Sequence, residues 1–144
     1  MAVPLSYPAT RFRVDTPPDL GTRSERERLS PPALKAFFNI MARWQIRDED
    51  ARVLLGGVSN GPFYEWKRDP HRTLDADRLT RISYLIGIFK ALNILHGKSL
   101  ADEWVRLPNA NPIFSGRTPL AYMIRGGLPA MLIVRRLLDA RRAG

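Results

Sequence analysis

The carboxylates in this sequence occur in pairs, but the pairs are not part of a catalytic group. Each pair stands at the start of a predicted helix: Asp48 with Asp50, Asp75 with Asp77, and Asp102 with Glu103. Carboxylates at this position cap the first helical turn and interact favourably with the helix dipole, which explains them without catalysis. The chain has no cysteine, and Ser-Asn-Gly at 59–61 lacks the strand-turn-helix context of a serine nucleophile. The sequence therefore predicts that the protein is not an enzyme.

Residues that could hold a phosphate group or a metal ion are equally sparse. The glycine pairs at 56–57 and 126–127 lack the lysine and hydroxyl of a phosphate-binding loop. His71 and His96 are the only histidines, and a metal site normally needs more nitrogen or sulfur ligands than these two can supply. We therefore expect no catalytic residue, no metal site and no cofactor of its own.

A binding function is indicated between residues 47 and 72, where two short predicted helices flank the sequence Gly-Gly-Val-Ser. This is the pattern of a helix-turn-helix, whose second helix can enter the major groove of DNA. Phe63 and Trp66 would anchor that second helix, predicted over 60–68, and leave its polar side chains toward solvent. The predicted DNA contacts are Ser59, Asn60, Tyr64, Lys67, Arg68 and Arg72, the last as a phosphate contact. Because Glu65 and Asp69 oppose phosphate, a helix pair that never touches DNA stays an alternative.

The elements that position this pair are predicted to be helical. Ser30-Pro31-Pro32 indicates a helix start with Ser30 as N-cap, and apolar residues follow at spacings of three and four up to Trp44. The longest predicted helix opens at Asp75 and runs to about His96. Its apolar stripe is wide, as expected for a central helix or for one that also makes a dimer contact. Ser99 is predicted to cap a short helix that ends near Arg106.

The stretch from Trp104 to Gly127 is predicted to direct the last helix. Pro108-Asn109 and Asn111-Pro112 interrupt the preceding helix, and Thr118-Pro119 begins another. Gly126-Gly127 ends that helix, and Leu128-Pro129 begins the last one. Four arginines then fall on the predicted outer side of the last helix: Arg135, Arg136, Arg141 and Arg142.

Composition and charge bound the remaining possibilities. The 144 residues are 44% hydrophobic and 26% charged, which predicts one compact unit or two small units sharing a core. The net charge of +9 divides into +1 for residues 1–29, +3 for 30–97 and +5 for 98–144. A basic balance favours nucleic acid or an acidic protein as partner, with solubility alone as the alternative. No apolar run reaches the roughly 20 residues of a membrane span, and the N-terminal sequence is unlike a signal peptide, so we expect a cytoplasmic protein without a membrane partner.

A spaced motif in the C-terminal third resembles a known family. It consists of Trp104, Pro108-Asn109, Phe114, Gly116, Pro119-Leu120 and Gly126, and it resembles the toxin-binding domain of the Xre/MbcA/ParS antitoxins. Upstream, Ala51, the run from Leu54 to Ser59, and Trp66-Lys67 look like the Xre-type helix-turn-helix that precedes this domain in those proteins. The resemblance covers about residues 30–144. It implies an all-α fold with an Xre-like helix-turn-helix domain over 30–97 and a toxin-binding domain over 98–144. Residues 1–29 lie outside the resemblance, and their prolines, mixed charges and weak periodicity predict a flexible arm.

The resemblance also implies a function. Such proteins are bacterial type II antitoxins of RES-Xre systems. The C-terminal domain holds a RES-domain toxin, which consumes NAD, and occludes its active site. The N-terminal half binds operator DNA and represses the operon, usually as a dimer or in a larger toxin complex. The expected toxin contacts lie at the chain's C-terminal end: Arg135, Arg136, Leu138, Arg141, Arg142 and Gly144. A stand-alone helix-turn-helix repressor whose C-terminal half only dimerises, and a helical adaptor that binds protein alone, are the alternatives.

Overall fold

The computed structural model describes residues 19–143, which form six α-helices and no strand. The helices are α1 (Arg23–Arg43), α2 (Asp48–Leu54), α3 (Asn60–Arg68), α4 (Ala76–Leu95), α5 (Lys98–Glu103) and α6 (Pro119–Ala143). Two short 3-10 turns, Trp104–Arg106 and Pro112–Phe114, lie between α5 and α6. The prediction of an all-α fold is therefore confirmed. Of the described helices, none has the length and hydropathy that crossing a bilayer requires.

The first helix begins earlier than the sequence predicts. Its first residue is Arg23, so Pro31 and Pro32 lie inside it and Ser30 is not an N-cap. Ser30 is fully buried, its hydroxyl donates to the Arg26 carbonyl oxygen at 2.6 Å, and it accepts the Leu74 N–H at 2.8 Å. Residues 23–29 therefore belong to α1, and the prediction of a flexible arm is wrong for them. Residues 1–18, the rest of that predicted arm, lie outside the described residues.

The central element is α4, as the width of its apolar stripe predicts. It packs against α1, α5 and α6. At its start, the Asp75 carboxylate accepts the N–H of Arg78, which is the predicted cap. Because one buried core runs from Leu34 in α1 to Leu138 in α6, both halves of the chain share α4. The division into domains at residues 97 and 98 stays a prediction.

Two polar contacts join the end of α1 to the segment that follows α4. The guanidinium Nε of Arg43 lies 3.0 Å from Oδ2 of Asp102 in α5. The Nε of Arg106 donates to the backbone carbonyl of Trp44 at 2.7 Å. Hydrogen bonds that involve a charged group are among the stronger ones in proteins. They therefore hold the start of the C-terminal segment against α1.

The short helix α5 begins at Lys98 with Gly97 at the N-cap, so the predicted cap at Ser99 is wrong. Gly97 has extended backbone angles, and its carbonyl oxygen accepts the Ala101 N–H at 2.9 Å. Ser99 therefore lies in the first turn of the helix. The α-helix ends at Glu103 and continues as the 3-10 turn to Arg106, close to the predicted end.

Aromatic packing organises the segment between α5 and the last helix. The Phe114 ring is buried edge-on between Trp104 and Tyr122, at centroid distances of 6.1 and 5.3 Å. The Thr118 hydroxyl caps α6 by accepting the Ala121 N–H at 3.0 Å. At Gly127, with φ +66° and ψ −147°, the backbone leaves the helical region, so α6 consists of helical segments 119–126 and 128–143. The prediction that the glycines at 126–127 separate two helices is confirmed.

The turn after α2 provides a test of local backbone strain. Gly57 has φ +89°, and a Cβ placed there would meet no atom within 4 Å. A Gly57→Ala substitution should therefore lower the free energy of unfolding by about 1–2 kcal/mol through backbone strain alone. In Gly61→Ala, where the added Cβ also meets nothing and the backbone is helical, stability should stay equal or increase. Urea denaturation of both variants measures the difference, and equal losses would contradict this explanation.

Candidate nucleic-acid interface

The helix-turn-helix is formed by α2, the turn at 55–59 and α3. The N–H groups of Gly57 and Val58 both donate to the Arg52 carbonyl oxygen, at 2.9 and 3.2 Å, which closes the turn. Ala51 and Val58 are buried at this crossing. Phe63 is completely buried, 5.3 Å from the Phe38 ring of α1. This anchoring confirms the predicted inner side of α3 and leaves its other side in solvent.

All six predicted DNA contacts are exposed, and five of them belong to α3 or its cap position. Asn60, Tyr64, Lys67 and Arg68 are spaced by three and four residues, so they share one face of the helix. Ser59 occupies the N-cap position, but its side chain makes no capping hydrogen bond. Arg72 follows α3 in the chain, and its Nη2 lies 3.4 Å from Oε1 of Glu65. Four of the six residues thus share one face of α3, Ser59 stands at its start and Arg72 lies beside Glu65, while DNA contact itself stays a prediction.

The structure reveals two further residues at this surface, Asp48 and Arg52 of α2. The hydroxyl of Tyr64 donates to Oδ2 of Asp48 at 2.8 Å, and Nζ of Lys67 lies 3.3 Å from its Oδ1. One turn further along α2, Nη1 of Arg52 donates to Oδ1 of Asn60 at 2.6 Å. In the sequence, Asp48 is explained by capping and by the helix dipole alone. The sequence pattern shows only that residues 48 and 52 share a face of α2. It does not identify the residues of α3 that they contact.

These contacts change the acidity of the groups involved. The pKa of Asp48 is lowered, chiefly because its carboxylate accepts the Tyr64 hydroxyl and also because Lys67 is adjacent. The pKa of Tyr64 is raised, chiefly because its hydroxyl donates to the same carboxylate, and also because desolvation and the negative charge of Asp48 disfavour the phenolate. Asp48 is therefore ionised, and Tyr64 is a hydrogen-bond donor, throughout the neutral pH range.

The charge of the helix-turn-helix itself is balanced. Residues 47–72 contain five arginines and lysines and five aspartates and glutamates, so their net charge is zero with neutral histidine. DNA-binding surfaces usually carry a clear excess of positive charge. The positive charge of this chain therefore lies mainly outside the pair of helices predicted to bind DNA.

The predicted toxin contacts in α6 occupy different environments. Arg136, Arg141 and Arg142 are exposed, and Nη1 of Arg142 lies 3.7 Å from Oδ1 of Asp139. Arg135 is held by its own chain: its guanidinium lies 5.9 Å from the Tyr84 ring centroid and close to Gly87 of α4.

Leu138 and Gly144 are the remaining predicted toxin contacts. Leu138 is completely buried, in register with Met131 and Val134 on the side of α6 that packs into the core. The prediction that Leu138 contacts a toxin is therefore wrong, because the side chain already packs inside the protein. Gly144 lies outside the described residues.

An apolar cavity of about 440 Å³ opens between α1 and α4, away from the predicted contacts. Its walls include Leu20 and Leu29 on one side and Leu79, Ile82 and Ile86 on the other. None of the predicted DNA or toxin contacts lines it. The cavity is therefore a separate feature of the helical bundle.

The fold and this surface define an all-helical protein with a helix-turn-helix. Residues 23–87 match the family model of the antitoxin Xre-like helix-turn-helix domain. The match begins where α1 begins and ends within α4, so residues 23–29 of α1, which precede the predicted domain, are part of the matched domain. The resemblance of this part of the chain to an Xre-type antitoxin helix-turn-helix domain is thus confirmed.

A protein of Sinorhizobium fredii (strain NBRC 101917 / NGR234), described as "Uncharacterized protein y4oB", is 39% identical to this chain over 115 residues. The aligned region covers 79% of this chain and 87% of that protein. The chain therefore belongs to the same family as this rhizobial protein, and its N-terminal part is an Xre-like helix-turn-helix domain of the antitoxin type. No solved structure matches the chain.

Proposed function

We propose that this protein is an antitoxin that neutralises a RES-domain, NAD-consuming toxin by occluding its active site, and that it binds operator DNA to autoregulate its operon. The observation that carries the proposal is the match of residues 23–87 to the antitoxin Xre-like helix-turn-helix domain. The C-terminal motif from Trp104 to Gly126, which resembles the toxin-binding domain of these antitoxins, supports the toxin-binding role.

DNA binding would use the exposed face of α3, with Ser59, Asn60, Tyr64, Lys67 and Arg68 in the major groove and Arg72 at a phosphate group. A short helix presented in this way has the dimensions to enter the groove. The active form would be a homodimer or a larger complex with the toxin. A homodimer would require two half-sites about one helical turn of DNA apart.

Toxin binding would use the C-terminal domain over 98–144 and above all the end of α6. The packing of Phe114 between Trp104 and Tyr122 sets the direction of this helix. Of the predicted contacts, Arg136 and Arg141 make no ion pair with another described residue. Their charge is therefore available to an acidic rim around a concave active site. Arg135 would act indirectly, by holding α6 on α4.

Co-expression with the toxin encoded beside this chain's gene tests the proposal. The full chain should restore growth and the cellular NAD level, whereas a chain without residues 139–144 should protect poorly. That deletion leaves Leu138, the most C-terminal buried residue described, in place, so the truncated protein should keep its helical circular dichroism and melting temperature. Full protection by the truncated chain would exclude the C-terminal end as the inhibitory segment.

A stand-alone helix-turn-helix repressor is the second candidate function. It is favoured by the fact that the family match covers residues 23–87 and does not extend to the C-terminal segment. In that case the C-terminal half would serve dimerisation alone. The protein would then repress its promoter but give no protection in the co-expression experiment, even with the full chain.

A further inference from the structure

Two hydrogen-bond donors of α3 converge on one carboxylate of α2. Tyr64 donates to one oxygen of Asp48 at 2.8 Å, and Lys67 lies 3.3 Å from the other. A hydroxyl and an ammonium group arranged in this way are suitable donors for an oxyanion such as a DNA phosphate. Here the oxyanion is supplied by the protein itself.

We propose that Asp48 is an internal competitor for the DNA backbone: its carboxylate occupies the anion position between Tyr64 and Lys67, and a phosphate group must displace it before α3 engages DNA. This inference rests on the proposed DNA-binding function and adds a regulating residue to it. Asp48 thereby sets the affinity of binding, without touching a base.

The exposure of the pair makes this exchange feasible. The side chains of Lys67 and Asp48 are 48% and 40% exposed, so both are already solvated. Ion pairs at such positions contribute little to stability, about 0–1 kcal/mol. A phosphate group can therefore replace the carboxylate without disrupting the fold. Residues 47–72 have zero net charge, so no excess of cations remains to attract DNA while the internal ion pairs persist.

Asp48 is not needed for the helix start in the way a cap residue would be. Arg47 holds the N-cap position of α2, and its side chain makes no capping hydrogen bond. Glu49 and Asp50, in the same acidic first turn, are the carboxylates that pair with Arg47, at 3.7 and 3.3 Å. They continue to complement the helix dipole when Asp48 is replaced. Contact with α3 is therefore what distinguishes Asp48 from its neighbours.

Glu49 provides the matched control. Glu49→Gln removes one negative charge from the same turn, but the Glu49 side chain is 71% exposed and pairs with Arg47 rather than with α3. Any effect of net charge alone should appear in both variants. An effect that depends on freeing Tyr64 and Lys67 should appear only in Asp48→Asn.

The experiment measures the affinity of the full chain for the promoter fragment of its own operon over a series of salt concentrations. Asp48→Asn should bind roughly five-fold more tightly at low salt, because Lys67 no longer has an internal partner. The slope of log K against log salt should change by much less than about 0.9, because Lys67 meets a phosphate in both proteins and the number of neutralised phosphates stays the same. Glu49→Gln should leave the affinity unchanged. Adding Lys67→Ala to Asp48→Asn should abolish the gain in affinity.

Each outcome decides the inference. If the wild-type chain binds and Asp48→Asn binds with the same or weaker affinity, Asp48 is not a competitor, while the DNA-binding function stands. An equal effect of Glu49→Gln would reduce the role of Asp48 to net charge and overturns the inference as well. If neither the wild type nor Asp48→Asn binds the fragment, the proposed DNA binding fails and takes the inference with it. Binding by Asp48→Asn alone would support the inference. Circular dichroism and an Asp48→Ser variant, which keeps a helix-start residue, exclude misfolding as the cause.

Discussion

Replacing Lys67 and Arg68 together by alanine should weaken binding to the operon's promoter by about 10- to 100-fold at low salt and reduce the salt slope by about two. Both side chains are exposed in the last turn of α3, whereas Phe63 of the same helix is completely buried. Lys67 must leave Asp48 to reach a phosphate, whereas Arg68 makes no ion pair with another described residue. Gel-shift or fluorescence anisotropy titrations of the full chain measure the loss.

The matched control for this variant removes two cations elsewhere. Lys35 of α1 and Lys90 of α4 are exposed, and changing both to alanine lowers the net charge by the same amount. If that variant binds as weakly as the α3 variant, long-range charge and not contact controls binding. Unchanged affinity of the Lys67 and Arg68 variant would show that α3 is not the recognition helix.

Phe114→Ala should lower the free energy of unfolding by about 3–5 kcal/mol. The side chain is 1% exposed and packs edge-on against Trp104 and Tyr122, so the change leaves a cavity in the segment that directs α6. The neighbouring Ile113 is 37% exposed, and Ile113→Ala should cost well under half as much. Chemical denaturation followed by tryptophan fluorescence and by circular dichroism measures both values.

The two probes also test how the halves of the chain unfold. Because α4 is shared by α1 and α6, we expect a single transition that both probes follow together. A loss in Phe114→Ala no larger than in Ile113→Ala would contradict the described packing of this segment. Toxin protection should decline in Phe114→Ala, because the direction of α6 depends on this side chain.

Much of the helical architecture could be predicted from local patterns. Apolar spacing of three and four identifies the buried sides of α1 and α4, and positive φ angles occur at Gly57 and Gly127, where the sequence indicates turns. Thr118 caps α6 and Asp75 caps α4, as predicted. These features depend on residues within a few positions of each other, so the sequence pattern contains the physical cause.

The error at Ser30 came from a residue whose role depends on a distant partner. Ser30 followed by two prolines is typical of a helix start, yet Ser30 is buried because it bonds the backbone of Leu74, 44 positions away. At Leu138 the apolar spacing correctly indicates a buried side chain. The prediction that Leu138 contacts a toxin is wrong because it conflicts with this burial. Local rules cannot distinguish a surface cap from a buried hydroxyl, because the burial is decided by another segment.

The sequence by itself therefore determined the helical class, the helix-turn-helix, the absence of cysteine chemistry and the glycine-controlled turns. Only the tertiary structure decided which charged side chains are available to a binding partner. Asp48 lies 16 positions before Tyr64 and 19 positions before Lys67 in the chain. The three side chains meet because the turn at 55–59 folds α3 back on α2. Arg135 likewise belongs to the internal packing because α6 lies on α4 at Gly87. Composition records how many charges there are, but distances between segments decide whether a charge faces a partner or another residue of the same protein.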